Sequence, residues 1–576
     1  MLEYYTSNDY RTDKKVLMFY HLWHGCFMEP STKTDIHAPR NITRIIKENK
    51  DALENEEVWG PNISYHYWGE PLFGFYDLAY DKYVLRKHAQ MLYDCGVDGI
   101  IVDYSNYMGG RDRAYSKKEL TNLLDTYWEM REEGNPTPYV TIMCTWGPQE
   151  SSKAAEDFYE DFYTCKKYEG LWFQWEGKPL ILANPDCLRA ELKDFFTVRR
   201  PYPFLTPVTE ENAWPWLSNY PQEPGYTKDN PCEIVSVGVA QNWTSSLDFF
   251  SAQDKDGNFI ARGRSYSSKG QKLLKDPTSK EYESHKGANF NESFDRAIDL
   301  DPSVLFITGF NEWIAARFLE IPTWALLSKY PVPPFGGFCD AFTTEFSRDI
   351  EPTKEEELKD SFYIMLAENI RRFKGCKKSE NVPGFNNIEI DGNFEDWDKV
   401  QNSYRDDIND TSYRNAKGIG NYMYVNTSGR NDFKLMKVAY DKENIYFYCE
   451  TVEDITPHTD EAWMNLFIHI SLDLPNWEGY NFVVNRIGVG ENYTTLEKST
   501  GEYNWTVVDD KVPYRIKGNK LEVGIKRSLL GLVDNDIDFM FKWCDNIRTD
   551  DVLEFYTNGD VAPNERFNYR FCVKEG

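Results

Sequence analysis

The chain has no run of about 18 apolar residues, so no segment is long and apolar enough to form a membrane-spanning helix. Its 11 cysteines stand singly with no Cys-x-x-Cys pair, which argues against a zinc site or a dithiol redox centre. An odd number leaves at least one free thiol, and most are expected to be small buried residues. Basic side chains are in short supply, 65 against 93 acidic ones for a formal net charge of −28. Such a surface repels phosphate backbones and anionic bilayers, so nucleic acid and membrane are poor partners. The glycine signatures of the dinucleotide fold, the P-loop and the α/β-hydrolase elbow are all absent. The opening residues, Met1-Leu2-Glu3-Tyr4-Tyr5, lack a basic region followed by an apolar one. The expectation is an extracytoplasmic protein whose leader has been removed, or otherwise a cytoplasmic one. No internal repeat is visible.

Aromatic residues are plentiful, at 16% of the 576 residues, with 17 Trp, 38 Tyr and 35 Phe. Part of that must fill cores; the rest favours flat or amphipathic ligands such as sugars. The length requires two or three domains. The first two-thirds alternates short apolar runs with amphipathic stretches, which predicts strands at 16–21, 99–104, 139–145, 179–183, 204–208, 234–240 and 304–310. Helices are expected at 83–95, 118–133, 294–300 and 355–373. Repeated strand–helix units predict a parallel (β/α)8 TIM-like barrel over residues 1–375, its eighth strand missing or hidden within 241–289. Residues 376–385 read as a polar linker. Beyond it, 386–576 carries short alternating segments at 435–440, 445–450, 466–472, 480–484, 521–525 and 539–543, the pattern of an antiparallel β-sandwich.

In a parallel barrel the groups that do chemistry sit at the carboxyl ends of the strands. The most informative end is Phe306-Ile307-Thr308-Gly309-Phe310-Asn311-Glu312-Trp313, where an apolar run stops at an amide, a carboxylate and an indole. Asn311, Glu312 and Trp313 together suit a sugar, with hydroxyls for the first two and a C–H face for the third; a Glu that caps a helix is the plainer reading. The run 99–102 delivers Asp103, costly if buried without a partner; a salt bridge to a loop arginine is the alternative to a site role. His21 and His24 follow the first strand and read as sugar-hydroxyl donors ahead of metal ligands. The third strand leads to Trp146, a stacking wall, and to Glu150, a spare carboxylate or a solvated one. Trp214 and Trp216 read as subsite walls or loop anchors. Gln241 and Asn242 end another strand, and Arg264 and Tyr266 lie in a loop that would cover the site. The aromatic-rich loop 59–77 reads as a lid or as packing. Paired carboxylates among aromatics suit glycosidic bond cleavage, one protonated by burial and the other ionised.

Three stretches resemble the glycoside hydrolase family 99 and family 71-like group, with its WbsX-like relatives. They are Val16 to His21; Tyr76-Asp77-Leu78 with His88-Ala89-Gln90-Met91-Leu92 and Gly96-Val97-Asp98-Gly99; and Phe306 to Trp313 followed by Leu319-Glu320. The resemblance spans most of residues 15–375 and implies a glycoside-cleaving barrel. In the family the last motif runs Asn-Glu-Trp-His-Glu-Gly and ends in Ile-Glu. Glu312 matches its first Glu, which acts on the sugar 2-hydroxyl, and Glu320 its last. Ala315 stands where the family has its acid/base, so Asp103, Glu150 or Glu320 would have to supply the proton, and the family's α-mannoside and α-glucan specificity is not carried over.

The tail resembles carbohydrate-binding module family 9-like domains through Ile390-Asp391-Gly392-Asn393-Phe394-Glu395-Asp396-Trp397, Val438 to Asp441 with Ile445 to Phe447, and Phe555 to Asp560 with Pro563. That resemblance implies sugar-binding rings, with Trp463, Trp477 and Trp543 as candidates, and a structural calcium on Asp391, Asp396 and Asp398; a plain turn is the commoner use of Asp-Gly-Asn. No redox cofactor or catalytic metal is implied. The leading expectation is a glycoside hydrolase acting on a poly- or oligosaccharide. Ala315 motivates the alternative, a glycan-binding protein without turnover. A glycan-building enzyme would need a phosphate cradle, and none is seen.

Overall fold

The protein was analysed as a computed structural model that describes residues 2–3, 10–25, 39–376, 385–420, 422–534, 536–548 and 550–573. Residues 377–384, most of the predicted linker, lie outside this set.

Eight parallel strands form the barrel: β1 (Lys15–Tyr20), β2 (Gly99–Tyr104), β3 (Tyr139–Cys144), β4 (Lys178–Leu182), β5 (Thr197–Tyr202), β6 (Ala213–Pro215), β7 (Ile234–Gly238) and β8 (Val304–Thr308). Their spatial order is the chain order, with β8 beside β1 and β7 beside β8. Six of the eight are the predicted apolar runs. The other two differ. The fifth strand is Thr197–Tyr202 and not 204–208, because Arg199, Arg200 and Pro201 disguise its alternating burial. The eighth was not hidden in 241–289; it is the three-residue Ala213–Pro215, too short to show a period.

Between β6 and β7 no strand pairing closes the wall. Residues 225–226 bridge the gap: Gly225 N–H donates to Ile234 O at 2.8 Å, and Asn212 N–H to Tyr226 O at 2.9 Å. A Cβ on Gly225 would stand 2.6 Å from both Ala213 O and Ile234 Cγ2, so this seam admits no side chain. Helices α1 (Lys82–Asp94), α2 (Arg111–Glu133), α3 (Pro148–Phe158), α4 (Ala190–Phe195), α5 (Ala288–Leu300) and α6 (Ser361–Lys374) lie along the chain between and after the strands. The interior is packed by Leu17, Phe19, Ile101, Leu182, Trp214 and Phe306, among others.

Over the carboxyl ends lies a small antiparallel sheet of Tyr65–Tyr67, Ile314–Phe318 and Gly337–Phe338. Gln174–Trp175 pairs antiparallel with β4 outside the barrel order, and the strands from Tyr404 onward belong to the second, antiparallel unit. Its core joins Phe433, Val438 and Phe447 of one layer to Leu466, Val484, Phe541 and Trp543 of the other, as a sandwich does. The strand Asn504–Lys517 links the layers, pairing first with Tyr493–Gly501 and then with Lys520–Lys526. Leu2–Glu3 adds to this sheet beside Phe567–Val573.

Replacing Gly225 by Ala should lower stability by about 2 kcal/mol, because the added methyl overpacks a backbone seam. A urea unfolding midpoint equal to wild type would contradict the assignment of this glycine as the closing wedge.

Candidate active site

β8 leaves the barrel through Gly309, whose φ is +100°. A Cβ there would come within 2.2 Å of Arg348 O, so only glycine lets the returning chain cross at this point. The crossing is fixed by Phe310 O, which accepts from the backbone N–H of Ile350 and of Glu351. It brings residues 340–351, among them Asp340, Arg348, Asp349 and Glu351, over the mouth of the barrel. Residues 341–351 are all buried. Sequence reasoning missed this segment, since Thr-Thr-Glu-Phe-Ser-Arg-Asp reads as an exposed loop.

Glu312 is held from two sides. Its backbone N–H donates to Asp349 Oδ1 at 2.5 Å, and Asp349 Oδ2 accepts from the Trp68 indole at 2.6 Å. Its Oε2 accepts from Arg348 Nε at 3.0 Å, while another nitrogen of the same guanidinium reaches Asp340 Oδ1 at 2.8 Å. Trp68 stacks on Trp313 at 4.5 Å. The Trp313 indole donates to Glu351 Oε2, which also accepts from Tyr76. Asn311 is spent on the backbone: its Oδ1 accepts from His21 N–H and its Nδ2 donates to His21 O.

Burial raises the pKa of Glu312 well above the usual carboxylate range; Asp340, Asp103 and Asp349 add to the rise and Arg348 opposes it. Asp103, at the end of β2, is buried and sits at about 6, again chiefly through burial, with its backbone and side-chain hydrogen bonds to Ser105 pulling the other way. Asp340 raises both, which places the three carboxylates in one field. No arginine pairs with Asp103 among the described contacts, and its Oδ1 accepts from Ser105 N–H.

Several buried polar atoms here find no partner among the described residues: both ring nitrogens of His21, Arg348 Nη1, Gln241 Oε1 and the Trp216 indole N–H. Short contacts connect them in steps. His21 feels the charge of Arg348, Trp216 packs on Phe19 two residues before His21, and Gln241 Nε2 donates to Leu217 O. Burial and the neighbouring His24 and Arg348 keep the His21 imidazole neutral. His24 is held low, at about 3, mainly by burial, and its Nε2 meets Asn311 O. The half-buried Trp23 packs on His21 with ring centroids 4.1 Å apart and the planes tilted by 44°. Unsatisfied buried polar atoms each cost about 1–3 kcal/mol, so such a group is the mark of a polar ligand's seat.

Other predicted residues fall elsewhere. Trp146 is 53% exposed and packs edge-on against Phe204 at the rim. Glu150 lies in the first turn of α3, beside Gly147. Trp214 is no subsite wall: it is buried inside the barrel and donates to Glu233, the residue just before β7, at the end away from the site. Asn242 is consumed by Ser251 and Phe338 O. Arg264 is a buried clamp on the crossing segment, through Thr344 O, Ser347 and Asp349 O. Tyr266 is partly buried, with the Arg262 guanidinium over its ring. Glu320 is exposed beyond the small sheet. Ala315 is buried in that sheet, paired with His66, whose ring packs against Trp59 and Phe338.

In the second unit Trp463, Trp477 and Trp543 are buried packing residues and offer no sugar platform. Asp391 accepts from the backbone N–H of Asn393, and Asp396 from that of Glu389.

No family model matches the chain, and no curated protein matches it. Two solved structures of the GH99 endo-alpha-mannosidase from Bacteroides thetaiotaomicron are similar. One, in complex with BIS-TRIS-Propane, shows 15% identity over 64% of this chain and 98% of that one, with a TM-score of 0.32. The other shows 16% identity over 63% and 98%, with a TM-score of 0.33. A likeness of that size carries neither the family nor the substrate.

A raised carboxylate costs stability once the pH exceeds its unfolded pKa, because the folded state binds the proton more tightly. Asp103→Asn removes that cost. It should stabilise the protein by about 2 kcal/mol at pH 7.5, the gain shrinking as the pH falls below about 6 and vanishing near pH 4. Thermal melts of both proteins across that range check this; a variant less stable at pH 7.5 would contradict it.

Proposed function

We propose that the protein is a glycoside hydrolase whose barrel cleaves a glycosidic bond with Glu312 and Asp103. The observation that carries the reading is the pair of buried carboxylates with raised pKa values, set among hydrogen-bonding atoms that the protein itself leaves unpaired. Glu312, raised well above the usual carboxylate range by burial and bound by Arg348 through Oε2, serves as the proton donor to the departing glycosidic oxygen. Asp103, ionised above about pH 6, serves as the carboxylate that acts on the sugar or on the attacking water. His21, Arg348 and Gln241 supply hydroxyl contacts, and Trp23 and Trp216 supply C–H faces. Arg348 binds Glu312 and Asp340 at once and so keeps the acidic site from repelling itself.

The same unpaired atoms also support the second reading, a glycan-binding protein without turnover. Catalysis separates the two. Reducing-end release from a panel of plant, fungal and host polysaccharides should be seen with wild type and fall at least about 1000-fold in Glu312→Gln, with glycan binding retained. The wild-type rate should fall as the pH drops through about 6, because Asp103 must be ionised. Hydrolysis by Glu312→Gln at the wild-type rate would refute the assignment, and binding without release by wild type would establish the second reading.

A further inference from the structure

A second group of acids lies where α1 meets the sandwich. Asp410 lies in the loop before the strand Arg414–Lys417, Asp432 just before Phe433–Tyr440, and Asp560 opens Asp560–Ala562. One carboxylate oxygen from each falls within 4.8 Å of the other two.

The hydrogen bonds around them are lopsided. Asp410 Oδ2 faces the barrel, where it takes Lys87 Nζ at 3.3 Å and Gln90 Nε2 at 3.0 Å, both from α1. Its Oδ1 has no hydrogen-bond partner among the described residues, although the residue is only 3% exposed. Asp432 Oδ2 accepts from the backbone N–H of Asn409 at 2.7 Å, and its buried Oδ1 also has no partner. Asp560 is buried and anchored by backbone N–H groups of Phe433 and Val561, which orient its carboxylate and leave lone pairs over. Two oxygens that hydrogen bonds in the chain would normally satisfy are thus left bare beside a third carboxylate.

Charge points the same way. Asp406, Asp407 and Glu565 crowd the same region, and Lys87 and Lys542 are the cations set against them. The three carboxylates also repel one another directly: Asp410 acts on Asp432, and both act on Asp560.

We propose that Asp410, Asp432 and Asp560 hold a calcium ion that ties α1 of the barrel to the sandwich. Ligands are all carboxylate oxygens, which selects a hard cation over zinc or copper. Three carboxylate oxygens within 4.8 Å of one another can share one cation, and calcium, with oxygens at about 2.3–2.6 Å and a flexible geometry, suits a wide cage of this kind. Magnesium, at about 2.0–2.1 Å, demands a tighter and near-octahedral cage. Lys87 and Gln90 then steer Asp410 by holding its other oxygen, so the ion's site is built partly from the barrel. The inference is independent of the proposed catalytic function.

The test uses the full chain, stripped with EDTA and titrated with CaCl2 at pH 7.5 in 0.15 M NaCl, by calorimetry and thermal melting. The expected result is one site per chain, a melting temperature several degrees higher with calcium, and a smaller rise with MgCl2. Asp432→Asn, at the least buried of the three, should weaken calcium binding at least tenfold and abolish the rise; circular dichroism checks that the variant is folded. Metal analysis before stripping covers the case in which EDTA fails to remove the ion: about one calcium per chain is expected in wild type and less in the variant. Wild type that neither carries nor takes up calcium, or a folded Asp432→Asn that binds it as wild type does, would overturn the proposal and leave the cluster as carboxylates that share protons.

Discussion

The candidate site depends on one close crossing of main chain. Where β8 ends, Gly309 gives up its side chain so that the backbone at Arg348 can pass over it. That contact turns a barrel strand and a distant loop into one structure. From it follow the position of Arg348 against Glu312, the Asp349 carboxylate on the Glu312 N–H, and the Glu351 anchor for Trp313 and Tyr76. A side chain at 309 would separate the carboxylate from everything that tunes it.

The crossing also settles the electrostatics. Glu312, Asp340 and Asp103 share one field, and one guanidinium, that of Arg348, spans the first two. One cation among three carboxylates leaves the cluster short of positive charge, and burial denies it help from water. The response is protons: the pKa of Glu312 and of Asp103 moves up. That costs stability, and the cost is what makes a carboxyl group able to hold and release a proton near neutral pH. The acidic cluster between α1 and the sandwich has the same shortage of cations, with bare oxygens in place of an aromatic pocket, and there an ion is the natural complement.

Much of the barrel was legible in the sequence for a simple reason. β1, β2, β3, β4, β7 and β8 are buried on both faces and so read as apolar runs. β5 was not, because its Arg199 is buried against Glu233 by a two-bond ion pair, and a buried arginine looks like a surface one in a sequence. Glu312 and Asp103 stood out as charges that follow apolar strands. Arg348 and Asp340 did not, since a polar stretch gives no sign that it is folded inward. Side-chain type also says nothing of direction: Trp214 and Asn242 follow strands as a ligand-binding residue would, yet one fills the barrel and the other ties down a loop. Ala315, the residue that motivates the degenerate-site reading, lies buried in the strand Ile314–Phe318 opposite His66.

The central claim is that a buried carboxyl group in the barrel mouth carries a proton near neutral pH. Infrared difference spectroscopy across pH 4.5–8, wild type against Asp103→Asn, tests it most directly. The account predicts a protonated-carboxyl stretching band in wild type that titrates at about 6 and is missing from the variant. A wild-type spectrum in which every carboxyl is already ionised at pH 5 would contradict it.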